Sequence, residues 1–230
     1  MPGMAEERLE AIEIETAPSP ARAVIWMHGL GADGHDFAGV EREVTPPGLA
    51  VRYVYPHAPM MPVTINNGYV MRAWYDVFGV DGVRREDEAG VRASQERIEQ
   101  LIAREKARGI LAQAIVLAGF SQGGAMALHT GLRYPERLAG VMALSCFLPV
   151  ARLVATEASA ANRDVPLFMA HGIADNVIPV ARARAARDTL LGLGYEVEWH
   201  EYPMAHSLCP QEIEDIAAWL QRTLERKETP

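Results

Sequence analysis

Short, nearly continuous apolar runs alternate along this chain with longer stretches in which apolar positions recur every three to four residues. The apolar runs are AVIWM (23–27), AVRYVY (50–55), AIVLAG (114–119), GVMALS (140–145) and PLFMAH (166–171). Each is bounded by glycine, proline or polar residues, which is typical of strands buried on both faces of a parallel sheet. EVEWHEY (196–202) alternates apolar and polar positions instead, and this pattern predicts an edge or one-sided strand.

Helical patterns lie between these runs. They cover residues 87–108, 122–133 and 180–192, and a last helix follows the final strand. For the last helix, Ser207 is a candidate cap and Pro210 is placed in the first turn. Strands that alternate with helices indicate an α/β fold with a mostly parallel sheet and helices on both of its faces.

Residues 56–86 break this regularity, because they are rich in proline, asparagine and glycine. We predict a long loop here, and loops of such length inside compact domains tend to be functional. The chain shows no internal repeat, low-complexity segment or linker. A single domain over residues 1–230, with its core over about residues 20–220, is therefore expected.

Composition excludes several classes of protein. Apolar residues make up 49% and charged residues 23% of the chain, which is ordinary for a soluble protein with a sizeable core. The formal net charge of −8 argues against nucleic acid as a partner. The most apolar stretch, between Arg137 and Arg152, spans 14 residues and contains Pro149, so it is too short for a transmembrane helix.

The N-terminus and the cysteines indicate the compartment. MPGMAEERLEAIEIE is acidic and lacks the apolar segment of a secretory signal. Cys146 and Cys209 are the two cysteines, and they form no disulfide framework. A cytoplasmic protein is the simplest interpretation.

The stretch AIVLAGFSQGG joins a predicted strand to a predicted helix through G-x-S-x-G, from Gly119 to Gly123. In that setting the motif predicts a strained turn that projects the Ser121 hydroxyl above the sheet as a nucleophile. The alternative interpretation is a tight turn in which Ser121 only caps the helix.

A serine nucleophile needs a base, and in sheets of this type the base is a histidine that follows the acid along the chain. His206 lies in a loop after the last strand, where an imidazole can reach the carboxyl end of the sheet. His129 lies within a helix, His171 ends a strand and is expected to shape a buried turn, and His200 is in the middle of a strand.

The acid is expected at Asp175, in the loop that follows the run 166–171. Asp164 follows no strand, Asp188 lies in a predicted helix and Asp215 comes after the histidine. Ser121, Asp175 and His206 are therefore the predicted catalytic triad.

Acyl transfer also needs hydrogen-bond donors for the oxyanion. The backbone N–H of Gln122 is one candidate, and the glycine-flanked Leu30 in the loop after the first apolar run is the other. A metal site is the rival interpretation of the same loop, with His28, Asp33, His35 and Asp36 as ligands, but no compact spacing supports it. A phosphate-binding loop lacks the lysine that it would need.

Six segments occur in one order over about residues 20–220. They are WMHGLGADGHDF (26–37), PHAPMMPVTINNGYVMRAWYD (56–76), AGFSQGGAMAL (118–128), LSCFLP (144–149), HGIADNVIP (171–179) and YPMAHSLCPQEIEDIAAWL (202–220). Together they resemble the carboxylesterase and acyl-protein thioesterase family of α/β-hydrolases.

The resemblance implies hydrolysis of carboxylic esters or thioesters through an acyl-enzyme, without a metal or organic cofactor. It places the nucleophile, acid and base on the triad named above, and the oxyanion donors on the amides of Leu30 and Gln122.

The substrate is expected to be a small or lipid-like acyl ester or thioester, of short to medium chain length, that meets the region 56–86. Apolar side chains suited to an acyl chain are Trp74, Met60, Met61, Val63 and Phe78; each could instead pack the loop onto the domain. Alternatives are a long-chain acyl-protein thioesterase or lysophospholipase, a dienelactone or C–C bond hydrolase, and a non-catalytic binding module. An apolar surface around the site leaves a homodimer open.

Overall fold

The computed structural model describes residues 9–80 and 83–225. The strands are β1 (Ala11–Glu15), β2 (Arg22–Met27), β3 (Val51–Pro56), β4 (Met60–Val63), β5 (Tyr69–Arg72), β6 (Val77–Val80), β7 (Val83–Glu86), β8 (Ile115–Phe120), β9 (Gly140–Leu144), β10 (Leu167–Gly172) and β11 (Val197–Tyr202). The helices are α1 (Glu41–Val44), α2 (Glu88–Ala107), α3 (Gln122–Arg133), α4 (Val154–Glu157), α5 (Val180–Gly192) and α6 (Pro210–Leu224).

One large sheet has the strand order β1-β3-β2-β8-β9-β10-β11. Every neighbouring pair is parallel except β1 with β3. The five apolar runs form the interior strands, and the alternating run forms the edge strand β11, as predicted. Strand β1 lies outside the predicted strands. Its sequence AIEIE does alternate apolar and acidic residues, which is the pattern of a half-exposed edge strand.

Two hydrophobic clusters lie on opposite faces of this sheet, because successive side chains of a strand point to opposite sides. In β2, Ala23, Ile25 and Met27 join one cluster, whereas Val24 and Trp26 join the other. Helices α2, α3 and α5 contribute to the first cluster, and α1 and α6 to the second. The predicted α/β fold with helices on both faces is confirmed.

The predicted helices match α3 and α5 residue by residue, and they match α2 to within one residue at each end. The expected cap of the last helix is wrong. Cys209, in extended backbone, is the N-cap of α6 and Pro210 is its first helical residue. Ser207 lies earlier, in a turn in which its N–H donates to the carbonyl of Ala205.

The prediction of one long loop over residues 56–86 is also wrong. Strands β4 and β5 form an antiparallel hairpin in which Met60 pairs with Arg72, and β6 and β7 form a second one. The first hairpin turns at Asn67, whose φ of 56° is left-handed, a conformation that asparagine tolerates better than most residues. Asparagine, glycine and proline therefore mark turns between short strands here.

Among the helices of the described residues, none is both long and apolar enough to cross a bilayer.

Candidate active site

Ser121 stands at the turn between β8 and α3, with φ 57° and ψ −119°. Few non-glycine residues adopt such a conformation, and those that do are concentrated at functional sites. Glycines allow the strand and the helix to cross closely. A Cβ on Gly119 would lie 2.2 Å from the backbone of Gly123, and one on Gly123 would lie 2.2 Å from the Met27 oxygen. The elbow therefore depends on these two residues having no side chain.

The structure brings the three predicted triad residues into one hydrogen-bonded chain. The hydroxyl of Ser121 donates to Nε2 of His206 over 2.9 Å, and Nδ1 of His206 donates to Oδ2 of Asp175 over 2.6 Å. The three residues follow β8, β10 and β11, which run parallel, so all three side chains meet at one end of the sheet.

The carboxylate of Asp175 is held by several donors. Its Oδ1 accepts the N–H groups of Val177 and Ile178, each over 2.8 Å. Burial works to raise the pKa of this carboxyl, but the hydrogen bonds from His206 and the two amides hold the pKa below its usual range. Asp175 therefore stays ionised opposite the imidazole, as the predicted role of orienting acid requires.

A loop over residues 28–31 lies directly against the serine. A Cβ on Gly29 would lie 3.3 Å from Cβ of Ser121. Within the described residues, the backbone N–H groups of Leu30 and Gln122 donate to no other group. Both amides are thus available as hydrogen-bond donors beside the Ser121 hydroxyl.

His28 and Trp74 fix this loop. Nδ1 of His28 donates to the Gly29 carbonyl over 2.7 Å, and its Nε2 accepts the N–H of Ala58 over 3.0 Å. The indole N–H of Trp74 donates to the carbonyl of His28 over 2.9 Å. Burial lowers the pKa of His28, which suits a neutral ring with one donor and one acceptor satisfied.

The side chain of Gln122 forms a further clamp. Its Oε1 accepts the backbone N–H of Trp74 over 3.0 Å, and its Nε2 donates to the backbone carbonyl of Tyr75 over 2.8 Å. The sequence predicts a role only for the backbone amide of Gln122. The side chain ties the start of α3 to the segment between β5 and β6.

A cavity of about 240 Å³ opens beside Ser121. Its lining is mostly apolar and consists of Leu30, Ile65, Asn66, Tyr75, Val77, Ser121, Gln122, Phe147, Val177, Ile178 and Arg182. The guanidinium of Arg182 lies over the ring of Phe147, 3.9 Å from its centroid. The cavity is an apolar space that adjoins the hydroxyl of the triad.

The five predicted substrate contacts are not among the residues that line this cavity. Trp74 is buried beneath the loop 28–31. Met60 lies on an exposed part of the hairpin β4–β5, and Val63 is buried. Met61, beside them on β4, and Phe78 on β6 also lie outside the lining. The hairpins, rather than one loop, decide which side chains face the serine, and they present Ile65 and Val77 instead.

Comparison with known proteins supplies the family. The phospholipase/carboxylesterase family matches residues 9–224. The chain belongs to this family. Acyl-protein thioesterase 1 of Gibberella zeae is 36% identical over 97% of this chain and 100% of its own length. Acyl-protein thioesterase 1 of Neurospora crassa is 42% identical over 90% of both chains.

Solved structures of relatives agree with the fold. The crystal structure of Arabidopsis thaliana SOBER1 matches with a TM-score of 0.82 at 29% identity, over 89% of this chain and 99% of that one. Zea mays acyl-protein thioesterase 2 matches with a TM-score of 0.81 at 26% identity, over 94% and 99%. This member of the phospholipase/carboxylesterase family is a serine hydrolase of ester or thioester bonds on an α/β-hydrolase fold.

The histidines outside the predicted triad have other partners in this family member. His129 is buried, its Nε2 contacts Gln95, and burial lowers its pKa to about 3. His200 lies in β11 against the ring of Phe168. His171 is buried next to the acid, with Nε2 3.3 Å from Oδ2 of Asp175.

The side chains that the structure brings together as possible metal ligands differ from the set that the rival interpretation of the sequence names. Both ring nitrogens of His28 are engaged. Asp33, His35 and His57 do place one ligand atom each within 4.8 Å of one another. His35 donates to Asp33 through Nδ1, and Nδ1 of His57 accepts the Gly34 N–H. These hydrogen bonds already account for the closeness of the three side chains.

Proposed function

We propose that Ser121, His206 and Asp175 carry out the hydrolysis, and that the acyl group is of short to medium length. His206 takes the proton of Ser121 as the hydroxyl attacks the acyl carbonyl, and Asp175 holds the imidazole and stabilises its charged form. The hydrogen-bonded chain from Ser121 through His206 to Asp175 is the observation that carries the proposal.

Two amides complete the reaction centre in this proposal. The N–H groups of Leu30 and Gln122 bind the oxyanion of the tetrahedral intermediate, since both lie beside the serine and neither has another acceptor in the described residues. His206 then returns its proton to the departing alcohol or thiol. Water attacks the acyl-enzyme in a second round with the same roles, and neither step needs a metal or an organic cofactor.

The cavity beside Ser121 supports the short to medium acyl chain. Its volume of about 240 Å³ lies below the usual range of roughly 300–1,000 Å³ for sites that bind drug-sized ligands. The rival candidate is a long-chain acyl-protein thioesterase or lysophospholipase, and the names of the relatives at 36% and 42% identity favour the thioesterase.

Removing the nucleophile tests the site. Ser121→Ala should lower kcat for p-nitrophenyl esters by about 10⁴–10⁶-fold if the triad acts as a unit, and should abolish labelling by a fluorophosphonate probe. His206→Ala should lose activity to a similar extent. Turnover retained in a folded Ser121→Ala protein would overturn the assignment.

A chain-length series tests the substrate. Esters and matching thioesters of 2 to about 16 acyl carbons, measured on one preparation, should give the highest kcat/KM at short to medium length, because the cavity limits the acyl chain. A maximum at the longest thioesters would select the rival candidate instead.

We also propose a cytoplasmic location, supported by the two free cysteines, of which Cys146 is buried. A homodimer stays a proposal that gel filtration tests. Neither affects the reaction described above.

A further inference from the structure

A second depression lies beside His206, apart from the cavity at Ser121. This groove has a volume of about 440 Å³, and its lining includes His206, Phe120, Phe37, Leu208, Asp36 and Glu43. The cavity is lined by Ser121 but not by His206, whereas the groove is lined by His206 but not by Ser121. The cavity therefore adjoins the Ser121 end, and the groove the His206 end, of the hydrogen bond between these two residues.

The chemistry of acyl transfer assigns a different part of the substrate to each depression. The acyl carbon bonds to Oγ of Ser121, and the leaving oxygen or sulfur must receive a proton from Nε2 of His206. With the acyl chain in the cavity, the group attached to the leaving atom extends past His206. The groove is the space that it enters.

The groove carries negative charge. Asp36 and Glu43 are exposed, and both contribute a carboxylate to the lining. Over the part of the chain that the structure describes, the lining holds no lysine or arginine, and His206 carries a positive charge only when it is protonated. Arg42, the neighbour of Glu43 in sequence, approaches Glu41 at 3.9 Å and does not line the groove. Within the described residues, neither Asp36 nor Glu43 takes part in an ion pair.

Aromatic rings form the floor between these carboxylates and the histidine. The ring centroids of Phe120 and His206 are 4.7 Å apart, and those of Phe37 and Phe120 are 5.8 Å apart. Aromatic faces together with carboxylates bind ammonium groups, through the ring quadrupole and through charge. A leaving group that carries a phosphate next to the ester would meet Asp36 and Glu43 with the same sign of charge.

We propose that this groove selects esters or thioesters whose leaving group carries a positive charge, that is, acyl derivatives of amino alcohols or amino thiols. The inference rests on the proposed function, because the groove receives a leaving group only if His206 is the proton donor.

A pair of substrates that differ in one atom tests the proposal. Butyrylthiocholine and the butyryl thioester of 3,3-dimethylbutanethiol have the same shape, but the first has a quaternary nitrogen where the second has carbon. At low ionic strength, kcat/KM should be higher for the cationic thioester by on the order of tenfold, and the ratio should decrease in 0.5 M salt.

Variants attribute the ratio to the groove. Asp36→Asn combined with Glu43→Gln should bring the ratio close to one, and Asp36→Lys should invert it. Glu196→Gln removes an exposed carboxylate just before β11, at the opposite end of the strand from the site, and should keep the wild-type ratio.

The outcomes separate the two proposals. A wild-type ratio near one would overturn the proposed selection of cationic leaving groups. The same holds if Glu196→Gln lowers the ratio as much as the groove variants do. Neither result would affect the proposed hydrolase function. If neither thioester is cleaved, and no other ester is, the proposed function itself fails.

Discussion

His171 is the residue that most extends the predicted triad. It is fully buried, and its Nε2–H donates to the Ile178 carbonyl over 2.8 Å while lying 3.3 Å from Oδ2 of Asp175. Burial lowers the pKa of His171, so its ring stays neutral at the pH of the reaction. One N–H thus supports both the turn that follows Asp175 and the carboxylate itself, and we expect His171 to position the proposed acid.

The variant His171→Phe keeps the ring volume and removes that N–H. Because Asp175 and the turn after it would lose this donor, the carboxylate would hold the imidazole of His206 in a less exact position. We expect kcat for a p-nitrophenyl ester to fall on the order of tenfold with KM unchanged, since a small misplacement is costly at a reaction centre. His171→Gln, which can return an N–H, should restore kcat in part. A purely structural role would lower Tm in His171→Phe and leave kcat of the folded protein unchanged.

Single residues differ in how far sequence alone predicts them. The geometry of Ser121, Asp175 and His206 agrees with the prediction because each follows a strand of a parallel sheet, and such strands end at one edge. The lining of the cavity depends on which way short hairpin strands face, and that is decided by tertiary packing. Ile65 and Val77 therefore could not be separated from Met61 and Val63 by composition.

The clamp made by Gln122 acts between elements. Its side chain joins the first turn of α3 to Trp74 and Tyr75, and Trp74 in turn holds the carbonyl of His28. The turn at Ser121, the entry to β6 and the loop 28–31 are therefore positioned by one set of buried hydrogen bonds. A displacement of any of these elements would move the amide of Leu30 or Gln122 relative to the Ser121 hydroxyl.

Gln122→Met removes the clamp and keeps the backbone amide. The substitution leaves the backbone N–H of Trp74 without its acceptor. The free energy of unfolding should therefore fall by about 1–3 kcal/mol. We expect kcat/KM for a p-nitrophenyl ester to fall on the order of tenfold, since a misplacement of an ångström or less is costly at a reaction centre. Gln221→Met, at an exposed position of α6, is the matched control and should change neither quantity. Equal activity in the two variants would show that the clamp does not position the site.

At the scale of elements, length decides what could be predicted. Helices α2, α3 and α5 span 12 to 20 residues with clear periodicity or sharp boundaries, and their limits follow from the sequence. Strands β4 to β7 have four residues each, too few to show a period beside turn residues. Helix α1 and helix α4, of four residues each, fail for the same reason.

The stability of the whole molecule depends on pH in two opposite directions, through one exposed group, Glu201, and two buried groups, His129 and Glu212. Hydrogen bonding from Arg184 lowers the pKa of Glu201 to about 2, and burial lowers that of His129 to about 3. Each group contributes stability above its unfolded-state pKa that is lost as the pH falls. Glu212 acts in the other direction, because burial in the first turn of α6 raises its pKa to about 8.

Glu212 is fully buried, and within the described residues neither of its carboxyl oxygens has a hydrogen-bond partner. Between its ordinary pKa of 4.5 and about 8, the folded protein holds a proton that the unfolded chain releases, so stability decreases with rising pH by up to about 1.4 kcal/mol per unit. The stabilising contribution is complete below pH 4.5 and lost above pH 8.

Glu212→Gln keeps the shape of the side chain and removes this titration. Its Tm should equal that of the wild type near pH 4.5 and exceed it by a margin that grows to several degrees at about pH 8. Above pH 8 the difference in Tm between the two proteins should stay constant. Thermal unfolding followed by circular dichroism from pH 4.5 to 9 measures the difference. Glu214→Gln, exposed on the same helix, should follow the wild type at every pH. A constant Tm difference across this range would mean that Glu212 titrates alike in the folded and unfolded protein, which would overturn the prediction.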